Sequence, residues 1–446
     1  MSQFFFFIYT FTPLRFFIQS FWRDEAFSYL LAKQNILSIL ILTAKDYNPP
    51  LYYLLLHMWI GVFGPSEIAL RTLSLLFFFG TLYVVSLFLN NIFKISVKKT
   101  LFYLLLFVLN PLLHYYAFEA RMYTLFAFFI TLSFYYLYKR EYQKYVVVAV
   151  AGLYTHYFAA FALLGQILFL ILTERNKLKK ICKMYLAIAI SYAPWICFVV
   201  ASRPPLNNDF WIPRLDIKTV LNIPALLFTG YEYIQSFYYV PLPIISVLLY
   251  GIFFVFILRN YKKIHINLHP NKHKKNERLG ILMCCWVIAP LLSVILISFI
   301  KPVFLPRYTI FITIGLLLTL IYILQTLPSK LLYPLMALLL LFLGHYSFVQ
   351  VIKRNKANIK RPLLEIKKLM GKDDVIYVTH EFNFHPAQYY LDGKQVYIYG
   401  KTYGKIRSYV GKILIPENSI SNSLPPYPHR AFILKDDLSY IIQALY

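Results

Sequence analysis

Between residues 67 and 350 this 446-residue chain is a succession of apolar runs, and their length more than anything else limits what it can fold into. They fall at about 67–90, 101–116, 122–138, 144–155, 157–173, 184–201, 238–258, 281–300, 308–326 and 331–350. Most are near the roughly 20 residues a helix needs to cross the hydrocarbon of a bilayer. A soluble domain of this size does not carry 59% hydrophobic residues against 14% charged ones. Together with a first segment ahead of residue 21, the runs predict a polytopic α-helical membrane protein of about eleven transmembrane helices. That first segment is short and holds Pro13 and Arg15. Residues 1–20 lack the basic start and the Ala-x-Ala-like site of a cleavable leader, so the first span is expected to do the targeting.

The net charge of +26 does not call for nucleic acid. Lys and Arg concentrate in short gaps between the runs and in the C-terminal tail, where topology and anionic membrane lipids account for them. The gaps Lys94–Lys99, Lys139–Lys144, Arg175–Lys183 and Arg259–Arg278 are basic and alternate with gaps that are not. The positive-inside rule makes them cytoplasmic. The 21–71 loop, the Glu119–Arg121 turn, the His156 turn, segment 202–237 and the Lys301–Arg307 turn then share the extracytoplasmic face. Within 144–173, too long for one helix, Tyr154-Thr155-His156-Tyr157 reads as the tip of a helical hairpin. Cys182, Cys197 and the Cys284-Cys285 pair have neither metal-ligand spacing nor the pattern of a disulfide framework.

Polar residues are costly in such a chain, so their clustering in 21–71 marks this stretch as an active-site loop. Asp24 and Glu25 follow the first segment, Asp46 precedes the Asn48-Pro49-Pro50 turn, and Glu67 and Arg71 open the next run. Between them Tyr29, Leu30, Ile36, Leu37, Ile39, Leu40 and Ile41 read as one interfacial helix. Asp24 is the candidate general base, with Glu25 beside it. An equally good local reading has Asp24 as that helix's N-cap and Glu25 in its first turn. Asp46 fits a turn residue as well. Arg121 and Arg307, at the outer ends of spans, suit bidentate phosphate binding or snorkelling to the interface. His57 and Trp59 read as packing. His265, His269 and His273 lie in a Lys-rich gap broken by Pro270 and read as a solvated loop.

Past residue 350 the character changes. Residues 1–350 form the membrane domain, and 351–446 are read as a small α/β domain on the outer face. Lys353–Lys372 reads as a basic amphipathic helix, 375–378 and 396–399 as strands, and 388–391 as helical.

Six motifs, in order, resemble the glycosyltransferase family 39 and aminoarabinose-transferase group, membrane enzymes of the GT-C fold that include protein O-mannosyltransferases. They are Trp22-Arg23-Asp24-Glu25-Ala26, Asp46-Tyr47-Asn48-Pro49-Pro50-Leu51-Tyr52-Tyr53, Ser66-Glu67-Ile68-Ala69-Leu70-Arg71, Glu119-Ala120-Arg121-Met122-Tyr123, Tyr154-Thr155-His156-Tyr157 and Pro306-Arg307-Tyr308. The resemblance covers residues 15 to about 325. It implies a sugar donor on a polyprenyl or dolichyl monophosphate, and a lipid, glycan or protein acceptor met at the outer face of the membrane, with inversion at the sugar. Asp24 is the base it implies, Glu25 and Asp46 shape the pocket, and Arg121 and Arg307 hold the phosphate. Asn48, Glu67, Arg71, Glu119, Tyr123, His156 and Tyr308 complete the substrate-binding set. Asn48 stands where His or Lys is frequent in the group, which leaves the sugar and any divalent metal open. A polysaccharide polymerase or ligase and a secondary transporter are the rivals. The transporter is disfavoured because the ionisable residues gather at one edge and no repeat is visible.

Overall fold

The computed structural model describes residues 9–202, 211–232, 241–260, 275–392 and 395–444. The histidines of the 259–278 gap lie outside them. Seventeen described helices longer than one turn are numbered in chain order: α1 Arg23–Ala32, α2 Ile36–Lys45, α3 Leu51–Phe63, α4 Glu67–Leu87, α5 Val97–Val108, α6 Pro111–Ala117, α7 Tyr123–Lys139, α8 Tyr142–Leu153, α9 Ala159–Thr173, α10 Leu178–Ser202, α11 Ile217–Thr229, α12 Leu242–Asn260, α13 Lys275–Ile300, α14 Ile310–Leu324, α15 Ser329–Lys353, α16 Lys360–Leu369 and α17 Phe384–Leu391. A short helical turn, Arg15–Ile18, lies ahead of α1.

Among the described residues five helices are long and apolar enough to cross a bilayer, centred on α4, α10, α13, α14 and α15. The pair α5–α6 makes a sixth span if taken as one, although it bends by 78°. The expected count of about eleven is therefore met only in part. Several runs became shorter helices, among them α7 with 17 residues and α9 with 15. The bend has a sequence cause at Asn110-Pro111, where proline cannot continue a helix. Asn110 starts the next one by accepting from Leu112 N and Leu113 N at 3.1 Å each, and its amide donates to Phe228 O of α11 at 2.9 Å. Helix α11 itself arises inside segment 202–237, which holds no apolar run of spanning length.

Helix α14 is the axis of the bundle, with nearly every side chain buried. In lipid, helices associate through close packing rather than hydrophobic transfer. Trp286 of α13 shows how: it stacks on Phe134 with centroids 4.0 Å apart and donates to Phe311 O at 3.0 Å. Its indole lies so close to Gly315 that a Cβ there would meet it at 2.7 Å. On one side of the bundle three of the basic gaps converge on Glu174, which pairs with Arg140 at 2.7 Å and with Lys177 and Arg278 at 3.1 Å.

The opening loop forms two helices rather than one. Helix α1 ends at Ala32, and Asn35 restarts the chain as α2 by accepting from Ser38 N at 2.8 Å. Ile36 and Leu37 of α2 are exposed and Ile39 is buried, the division expected of a helix lying against lipid. The Pro49-Pro50 turn delivers α3, whose Leu51 N donates to Tyr154 O at 3.0 Å. The hairpin of α8 and α9 turns at residues 154–158, and this bond ties it to the loop.

The C-terminal residues build a five-stranded sheet of order β3-β2-β1-β4-β5, with β1 Val375–Val378, β2 Val396–Tyr399, β3 Ile420–Ser421, β4 Ala431–Leu434 and β5 Tyr440–Gln443. All pairings are parallel except β4 with β5. The central strand β1 is buried throughout, which explains its unbroken apolar sequence. The helix expected over 353–372 is instead split. Helix α15 ends at Lys353, residues 354–359 form a linker, and α16 starts at Lys360. Helix α17 packs on α1: Tyr389 meets Phe21 and Tyr29 with centroids 4.7 and 4.9 Å apart, and His385 meets Phe27 at 5.6 Å. Gly411 makes room for this contact. It sits at φ +80°, and a Cβ there would lie 2.5 Å from Phe27.

Candidate active site

Asp24 and Glu25 occupy the first turn of α1, where carboxylates are favoured by the helix dipole. Neither caps it, because the N-cap position is Trp22 and no side chain bonds there. The two side chains project about 100° apart around the helix. Their surroundings have nothing in common.

Glu25 points inward and is fully buried. Its two oxygens accept from Nε and Nη2 of Arg71 at 2.7 Å each, a bidentate pair. Lys356 adds a third contact at 2.7 Å and the backbone N–H of Ala120 a fourth at 3.1 Å. Arg71 spends its remaining donors on carbonyls, with Nη1 reaching Phe17 O at 2.8 Å and Gln19 O at 2.7 Å. Lys356 also lies 3.3 Å from Glu119. Glu67 is held by Lys360 and Tyr390, both at 2.6 Å. Four residues read from sequence as catalytic or substrate-binding, Glu25, Glu67, Arg71 and Glu119, thus take part in ion pairs within the protein. Protein donors engage both oxygens of Glu25 and both of Glu67, whereas the buried oxygens of Glu119 have no hydrogen-bond partner among the described residues.

Asp24 faces the other way. Its carboxylate accepts from Arg23 Nε at 2.8 Å. Burial pushes the group up, but Arg23, Arg121 and Arg307 outweigh it and hold it at about 2, ionised at any physiological pH. Arg121 donates to Asp24 O at 3.3 Å and to Ser28 Oγ at 3.2 Å. Arg307 is gripped by Glu232 at 3.2 Å and lies 3.4 Å from Tyr116 Oη. Among the described residues the buried Nε atoms of Arg121 and Arg307 have no partner. A buried guanidinium with an unmet donor is suited to an anion.

Asp46 is the third carboxylate of the cluster. Burial raises it to about 7, against a hydrogen bond from Asn48 and the charge of Arg121. That bond, from Asn48 Nδ2 to Asp46 Oδ2, is 2.6 Å long. The hairpin tip brings in His156, which stacks on Phe126 at 4.8 Å and accepts from Phe158 N through Nδ1 at 3.2 Å. Burial, helped by Arg121, pushes His156 down to about 3 and keeps the ring neutral. Its Nε2 therefore carries the proton. Tyr308 lies 5.3 Å from His156 and 6.2 Å from Tyr123, centroid to centroid. Asp24, Asp46, Asn48, Arg121, Tyr123, His156, Arg307 and Tyr308 thus gather in one region. A negative site beside two guanidinia can separate a proton acceptor from an anion holder. Among the described residues no three His, Cys, Asp or Glu side chains gather closely enough to hold a metal ion.

Three contributors escaped the sequence reading: Glu232, Arg354 and Lys356. Glu232 is an isolated acid in an apolar chain, and that cost alone marks it. The two cations lay hidden in a basic stretch whose helical period gave no sign that they are buried.

No protein-family model matches the chain, and no curated protein sequence matches it. Solved structures do. The apo crystal structure of ArnT from Cupriavidus metallidurans aligns at a TM-score of 0.55 with 11% identity, over 86% of this chain and 82% of that one. The same protein bound to undecaprenyl phosphate aligns at 0.56 with 10% identity, over 98% and 93%. At that identity the likeness is one of fold, and it runs through the membrane helices and the C-terminal sheet alike. The chain is an integral membrane protein that shares the fold of ArnT.

Proposed function

We propose that this protein is a membrane glycosyltransferase that moves a sugar from a polyprenyl-monophosphate donor to a hydroxyl acceptor, with inversion, on the extracytoplasmic side. The observation that carries the reading is the placing of the Asp24 carboxylate within the field of Arg121 and Arg307, with Arg121 bonded to the Asp24 main chain, in a bundle of ArnT-like fold. The ArnT structure holding undecaprenyl phosphate supports the donor class.

The chemistry follows from the charges. The acceptor hydroxyl gives its proton to Asp24 as its oxygen bonds to the anomeric carbon, while the bond from that carbon to the phosphate oxygen breaks. The bonding pair leaves with the polyprenyl phosphate, and the two guanidinia take up the charge. An oxocarbenium-like centre passes between them. One carboxylate suffices for a single displacement, hence inversion. Asp24 is a poor base at a pKa of about 2. A donor phosphate between Arg121 and Arg307 offsets the field that depresses it and makes it more basic when substrate is present. Asp46 and Asn48 shape the sugar pocket, with neutral His156, Tyr123 and Tyr308 as its hydrogen-bonding wall.

The test is transfer by purified protein from a panel of polyprenyl-phosphate monosaccharides. Transfer from a diphosphate-linked glycan alone would instead identify a polymerase or ligase, and transport without transfer a carrier. Sidedness is tested in a cysteine-free background. A label at Lys405→Cys is expected to react with an impermeant reagent in intact cells, and one at Lys179→Cys to be shielded. The reverse pattern overturns the assignment of the active face.

A further inference from the structure

Residues 354–359 connect the last span to the sheet, and their cations reach back into the membrane domain behind the active site. Lys356 is 93% buried at its side chain and lies 2.7 Å from Glu25 and 3.3 Å from Glu119. Glu25 is the helical neighbour of Asp24. Glu119 opens the turn that carries Arg121, and Ala120 of that turn donates to Glu25. One ammonium therefore joins the helix bearing the base to the turn bearing the first phosphate-holding arginine. Two residues earlier, Arg354 lies 3.9 Å from Glu232, the carboxylate that grips Arg307, and its guanidinium sits 3.3 Å above the ring of Tyr115. The linker backbone is held in turn: Gln19 Nε2 donates to Arg354 O at 3.3 Å and Lys356 N donates to Gln19 Oε1 at 3.4 Å.

We infer that this linker is part of the catalytic apparatus, with Lys356 and Arg354 as positioning residues that set Asp24 and Arg121 on one side and Arg307 on the other. The inference rests on the donor reading above. Its physical basis is charge balance: Glu25, Glu119, Arg71 and Lys356 form a buried set of two anions and two cations. Removing one member leaves an uncompensated charge that the surroundings must expel. Glu119 opens the turn at 119–121, so a displaced Glu119 carries Arg121 with it.

Undecaprenyl phosphate binding to the purified full-length protein, followed by tryptophan fluorescence, is the readout. Lys356→Met and Arg354→Met are each expected to weaken it about tenfold, within the range of coupled neighbouring sites. Lys356→Arg keeps the charge and should stay near wild type. Adding Glu119→Gln to Lys356→Met restores neutrality and should recover most of the loss, which a merely space-filling lysine would not allow. Where Lys356→Met alone does not fold, Glu119→Gln alone takes its place. It leaves a surplus cation, and its weakened binding should recover in the pair. Wild-type affinity in the single variants, or a pair no better than either single change, overturns the positioning role alone. A wild-type protein that binds no undecaprenyl phosphate overturns the donor reading, and this role with it.

Discussion

Asp24 and Glu25 are adjacent in sequence and identical in charge, yet one faces a group of arginines and the other is locked into a network of donors. Glu25 has four donors on two oxygens and no exposure. Among the described residues Asp24 has one side-chain partner, Arg23, and the field of two further arginines. The same division separates the arginines. Among the described residues every hydrogen bond of Arg71 goes to a carboxylate or a main-chain carbonyl, whereas Arg121 and Arg307 each keep a buried Nε without a partner. A carboxylate with all its lone pairs engaged has little basicity to offer, so burial in a complete network makes Glu25 a structural anchor.

Exchanging the neutral isostere at each position sharpens that contrast. Asp24→Asn should lower the unfolding temperature in detergent only modestly while turnover drops by about 10² to 10⁴, the usual loss for a positioned base. Glu25→Gln should do the reverse. It strips a buried ion pair of one partner, which destabilises by about 3–5 kcal/mol, seen as a lower unfolding temperature. A Glu25→Gln protein of normal stability and no turnover would erase the distinction between the two. For the arginines, Arg121→Lys and Arg307→Lys keep the charge and lose the fork. Undecaprenyl phosphate binding should weaken by roughly 1.5–3 kcal/mol in each. Unchanged affinity in both would leave them as interface anchors.

The apolar runs and the 375–378 and 396–399 strands could be read in the sequence, because hydropathy and β-branched composition are local properties. So could the residues that gather at the site, since each sits in a polar island that an apolar chain has little reason to keep. What could not be read is which member of each island faces substrate. Asp24 and Glu25 differ by one helical step, and only the position of Arg71, Ala120 and Lys356 decides between them. The split of α1 from α2 was signalled by Asn35, a good N-cap residue. The continuous apolar reading of the segment masked it. The 353–372 stretch broke for a tertiary reason. A helix through 354–359 cannot place both Arg354 and Lys356 against their buried carboxylate partners, and those ion pairs outweigh local helix propensity.

Asp46 supplies the smallest and most specific test of the difference between framework and site. Its ordinary value of 3.8 is raised to about 7, chiefly by burial, which the bond from Asn48 and the charge of Arg121 only partly offset. Between pH 4 and pH 7 the folded protein therefore holds a proton on this group that the unfolded chain has already released. Stability gained from the neutral form is present at the acid end of that window and is lost as pH rises toward 7, with no further change above it. Asp24, held at about 2, adds a rise confined to the acid end of the window, where the unfolded chain finishes ionising, and nothing nearer pH 7. Thermal unfolding of the wild type in detergent should show a decline across the window that flattens in Asp46→Asn and persists in Asp24→Asn. The same slope in Asp46→Asn as in wild type would mean that Asp46 is solvated and ionised, and would remove it from the sugar pocket to the surface turn that its position before Pro49-Pro50 also allows.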